Sequence, residues 1–152
     1  MGIDQVAVLE QFRALAATVE GVVVAYAPTQ ASEGEGGVPG APRDFPCAIV
    51  LPGQSSEYIL HPGQHRHTYE VRVLLLMEGV DDAQNAWLIA PMPDRVIEVF
   101  VGNVTLGGRA NSVLFERSTG LATVEWAGIS YLGYEFTFRV SEQASASPAA
   151  GS

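Results

Sequence analysis

No lysine occurs among the 152 residues, so all eight cationic side chains are arginines, whose planar fork suits bidentate ion pairs and interfaces better than loose solvation. Charge of either sign is scarce: 16% of residues are charged against 47% hydrophobic. That composition fits one compact domain, leaves little charge to cover a free surface, and points to a partner that covers part of it. The net charge of −9 is offset by no basic run, which argues against nucleic-acid binding, because phosphate attraction supplies most of that affinity. The single cysteine, Cys47, cannot form an internal disulfide. Within "CAIVL" it reads as a small core residue of a reducing compartment. No apolar run is long enough to span a membrane, and the start lacks the basic-then-apolar pattern of a signal peptide. Also missing are a G-x-S-x-G elbow, a phosphate-binding G-x-x-x-x-G-K-[ST] loop and a G-x-G-x-x-G turn, so nucleophilic and nucleotide chemistry have no sequence support.

The segments that are present predict an α+β fold, mainly antiparallel sheet, over residues 1–141. Asp4 can cap a helix carrying Val8, Phe12, Leu15 and Val19 on one face, with Gly21 as its stop. "VVVAY" follows as a β-branched strand, and residues 28–44, rich in Gly, Pro and acids, read as a flexible loop. "CAIVLP" and "SEYIL" read as short strands separated by "PGQSS". From "VDDAQNAW" onward two helical pieces are expected, kinked at Pro91 and Pro93. "SVLFE", "ATVEWAG" and "YEFTFRV" then alternate as antiparallel strands with turns at "STG" and "YLG". In the last of them Tyr134, Phe136, Phe138 and Val140 face inward, and Glu135, Thr137 and Arg139 outward. The tail 142–152 is small, polar and aperiodic, as disordered ends are.

The most informative stretch is "HPGQHRHTYEVRVLLLMEG". His65, His67, Tyr69, Val71, Val73, Leu75 and Met77 alternate with Arg66, Thr68, Glu70 and Arg72, which predicts one long strand. Fourteen residues at strand rise reach roughly 46 Å, whereas a domain of this size has a radius of gyration near about 14 Å. The polar half is therefore expected to project, paired with "EYIL", as a β-hairpin arm over residues 56–72 that rests on a neighbour. His61, His65 and His67 have the spacing for a metal site. A hairpin tip offers neither a pocket nor a general base, so histidines packed against a partner are the preferred reading, with no metal, cofactor or catalytic residue assigned. Asp81 and Asp82 read as a helix cap rather than an acid–base pair, and the glycines of "LGGRANS" as a turn.

The order of these elements, with "HRHTYEVRVLLL" and the closing "YLGYEFTFRVSE", resembles the tail terminator, or tail completion, proteins of long-tailed bacteriophages over about residues 3 to 142. The resemblance implies a structural virion protein of the neck, made in the host cytoplasm and not an enzyme. It implies a homohexameric ring that ends the tail tube, joins it to a head-side connector or stopper protein, and lets DNA through its lumen without specific binding. Tyr58, His61, His65, Arg66, His67, Tyr69 and Arg72 are then the candidates for the subunit interface, and Arg109, Arg117 and Arg139 for contact with tube or connector. The alternatives are another neck, head-completion or minor tail protein, or a small cellular metal- or ligand-binding α/β protein.

Overall fold

The computed structural model describes residues 5–27, 42, 44–62, 64–78, 83–103 and 112–145. Within them the chain runs α1 (Gln5–Ala16), β1 (Val24–Tyr26), β2 (Cys47–His61), β3 (Gln64–Met77), α2 (Ala83–Ile89), α3 (Met92–Val101), β4 (Ser112–Ser118), β5 (Ala122–Trp126) and β6 (Ile129–Ser145). This is an α+β fold. Its sheet has the order β1-β2-β3-β6-β4, with β5 also pairing β6, and every pairing is antiparallel except the short β1–β2 pair. Asp4, Asp81, Asp82, Arg109, most of the 28–44 loop and most of "LGGRANS" lie outside the described residues.

Helix α1 turns Val8, Leu9, Phe12 and Ala16 onto the sheet, and α3 adds Met92, Val96 and Phe100. Phe12 stacks on Phe100 at 4.9 Å, and both rings meet Phe138 of β6. The two helical pieces break at Ala90–Pro91, where Pro91 sits at the N-cap of α3 and Pro93 in its first turn, a place where a missing N–H costs nothing. On β6, Tyr134, Phe136, Phe138 and Val140 face this core, as the alternation requires.

A second, smaller apolar cluster lies on the opposite face and joins Cys47, Ile49, Leu74, Leu76 and Tyr131, with Val124 and Trp126 packed against it. With both faces covered at this end, the run from Val73 to Met77 is buried without interruption, as strands covered on two sides are. Gly133 lets β6 approach β3 here; a Cβ at that position would lie 2.0 Å from the Leu75 carbonyl oxygen.

Four expectations need correction. "CAIVLP" and "SEYIL" form one strand, β2, whose register shifts between Pro52 and Ser56. Gly53 sits in that bulge, where a Cβ would meet the Glu70 Cβ at 2.5 Å, so the turn-like residues serve a close approach rather than a loop. The tight turn of the closing strands is Ala127–Gly128, both with positive φ, the conformation that matches a two-residue hairpin. "YLG" lies inside β6, and "STG" links β4 to β5, which lie end to end along β6 instead of pairing. Residues 142–145, assigned to a disordered tail, continue β6 to Ser145 beside β3. That continuation gives the second edge of β3 its hydrogen-bond partners, which small polar residues supply as well as large ones. Finally, Thr137 is buried on the outward face. It stands between Arg72 of β3 and Arg117 of β4, whose long stems shield it.

Candidate subunit-contact site

The main core cluster reaches no further toward the β2–β3 turn than Tyr69 and Val140. Beyond them the sheet narrows to β2, β3 and β6, because β4 starts opposite Ser141 and β1 pairs only as far as Ile49. The arm is thus three strands wide, not the two expected, with β6 as the added strand. It is also shorter than 56–72, since Tyr69 and Val71 belong to the core.

The ladder places Tyr58, His67 and Glu142 side by side, and next to them Ser56, Tyr69 and Val140. Tyr58 stacks on His67 with ring centroids 3.9 Å apart and planes 6° from parallel, and His67 meets Tyr69 at 4.5 Å. The Tyr69 hydroxyl donates to Glu142 Oε2 across 2.6 Å. His67 is therefore held between two tyrosines and buried, and burial pushes its pKa below the usual histidine value. Further out, Leu60 lies opposite His65. Leu60 is 70% exposed and Tyr58 63% exposed, a large apolar pair on a narrow projection.

Of the interface candidates, Tyr58 and Arg66 are exposed, while His67 and Tyr69 are buried within the chain itself. Arg72 is half-buried and pairs with Glu135 at 3.4 Å. His61 and His65 take their places in the strand ladder, and their side chains lie outside the described residues. Among the described residues no three His, Cys, Asp or Glu side chains gather as a metal-holding group. Cys47 is buried, which raises its thiol pKa to about 12, so it is no nucleophile at neutral pH.

Arg117 and Arg139, the described candidates for tube or connector contact, share the outward face of β4 and β6. Arg139 grips Glu116 through Nε and Nη2 at 3.1 and 2.7 Å, and Arg117 reaches Glu116 at 2.9 Å and Glu70 at 3.8 Å. The Arg139 hydrogen bond holds the Glu116 carboxyl below its usual pKa. With Arg72 and Glu135 this makes three guanidinium groups against three carboxylates, a balanced patch rather than a basic one.

The sequence reading missed two features. Glu142 fell in the presumed tail, although it continues the inward alternation of Phe138 and Val140. The other is a groove of about 450 Å³ at the far end of the sheet, lined by Phe45, Met77, Trp87, Leu88, Met92 and Arg95. Trp87 there is 80% exposed and Leu88 50%. No helix among the described residues is long and apolar enough to cross a membrane. The chain matches no protein-family model and no curated protein.

Proposed function

We propose that the chain is a tail-terminator, or tail-completion, subunit of a long-tailed bacteriophage: a structural, non-enzymatic virion protein that closes into a hexameric ring on the last ring of the tail tube and meets the head-side connector. The observation that carries this reading is the arm, three strands that leave the core at Tyr69 and Val140 with Tyr58 and Leu60 exposed at their end. A narrow apolar projection gains nothing as a free surface and is covered when it rests on another copy. Contact between an arm and a different patch of the next subunit is heterologous, the type that generates rings when the rotation closes. The net charge of −9 without a basic run suits a conduit through which DNA slides, since few cations are available to grip phosphates. The order of elements and the closing "YLGYEFTFRVSE" support the same assignment.

Tube growth tests the reading. Added to polymerising tail-tube protein, the chain should bind tube ends and fix their length as rings visible by electron microscopy. Tubes that grow unchanged, with no ring at their ends, would sink the terminator assignment.

A further inference from the structure

We propose, building on the ring-subunit reading, that the arm tip of one copy seats in the groove beside Trp87 of the next copy, with Tyr58 and Leu60 entering the groove and Glu57 meeting Arg95. Each side of this contact is incomplete within one chain. The tip offers two large apolar side chains to solvent, and the groove offers Trp87 and Leu88 over a floor of Phe45, Met77 and Met92. Exposed aromatic side chains at the rim of an apolar depression have the composition of interface anchors.

The two ends of β3 exclude the chain's own arm as the occupant. Gln64 begins β3 at the arm, and Met77 ends it at the groove. The ends of this 14-residue strand lie roughly 43 Å apart at about 3.3 Å per step, so an arm cannot fill its own groove. A plug at one end and a socket at the other form a heterologous contact, which propagates from copy to copy until it closes.

Charge fits as well. Arg95 donates through Nη1 to the Glu20 carbonyl oxygen at 3.1 Å and, among the described residues, has no salt bridge; nor has exposed Glu57. Among the described residues nothing pairs with the outer edge of β2 past Ile49. In the proposed contact the strand enters edge first, Tyr58 and Leu60 along one wall and Glu57 toward the other, where Arg95 stands. A carboxylate meeting an arginine at the margin of an apolar contact fixes register as well as adding attraction.

The test is disulfide trapping in co-expressed chains, one carrying Leu60→Cys and the other Leu88→Cys, with buried Cys47 left in place. The expected product after mild oxidation is the mixed Leu60→Cys/Leu88→Cys dimer, with neither like-with-like dimer and no intrachain link when both changes are in one chain. Dimers of Leu60→Cys with itself, or an intrachain link, would overturn the proposal. Arg95→Glu should weaken assembly by about tenfold or more, and adding Glu57→Arg should restore it; without rescue the Glu57–Arg95 contact is wrong. Particle mass separates the two levels. Rings that form normally without the mixed cross-link refute this socket and leave the ring reading standing, whereas a chain that stays monomeric refutes both.

Discussion

The Tyr69 hydroxyl donates a 2.6 Å hydrogen bond to the buried Glu142 carboxylate, joining β3 to β6 where the core ends and the arm begins. Tyr69→Phe keeps the ring in the core but leaves a buried carboxylate with one donor fewer. Removing one partner of such a bond costs about 1–3 kcal/mol, to be read from urea unfolding. A variant as stable as the parent would mean that this bond does not tie arm to core.

His67 makes the same region sensitive to acid. Its pKa is lowered by burial between the tyrosines, so the folded chain favours the neutral ring and the unfolded chain takes up the proton first. The contribution of neutral His67 is complete above the unfolded histidine value, near about 6.5, and is lost as pH falls through the lower folded value. Unfolding midpoints measured from pH 7.5 down to 5 should decline in the parent and decline less in His67→Phe. Equal slopes would show that His67 is not the group responsible.

The register of β6 gives an opposed pair of substitutions. Phe136 is fully buried against Tyr134 and the core, and Phe136→Ala should cost about 3–5 kcal/mol, a large share of the roughly 5–15 kcal/mol that holds a domain together. Arg139→Glu breaks the outward pair with Glu116 and should move the melting transition far less, because exposed ion pairs contribute little. Under the terminator reading, the same change impairs capping of tail tubes if that face meets the tube. The reverse ranking in thermal melts would mean that the strand faces are exchanged.

What could be read from sequence follows from how strongly each residue's environment constrains it. The alternation from His65 to Met77 and from Tyr134 to Val140 is legible because one face of each strand is apolar and buried. Where both faces are covered, as at Leu74 and Leu76, the pattern becomes a continuous apolar run and says less about which layer each residue joins. Gly53 and Gly133 resemble turn residues by type, yet both lie within strands because a neighbouring backbone comes too close for a Cβ. Residues 142–145 carry no apolar periodicity at all; their strand depends on pairing with β3, a long-range partner that local composition does not encode. Of the candidate site, the long β2–β3 pairing was legible in the alternation, and the third strand beside it was not. The groove was not, because its walls come from the start of β2, the end of β3 and the α2–α3 elbow, segments distant in sequence.

The most direct measurement is the solution mass of the full chain and of a chain trimmed at the arm. Glu57 and Thr68 are ladder partners, so replacing residues 58–67 by an Asn-Gly pair closes the hairpin with a two-residue turn and spares Tyr69, Val71 and the core. The account predicts a ring of about 97 kDa for the full chain, six copies of 16.1 kDa, and a folded monomer for the trimmed one, with circular dichroism confirming an intact sheet. A trimmed chain that still assembles like its parent, or a full chain that remains monomeric at assembly concentrations, would contradict it.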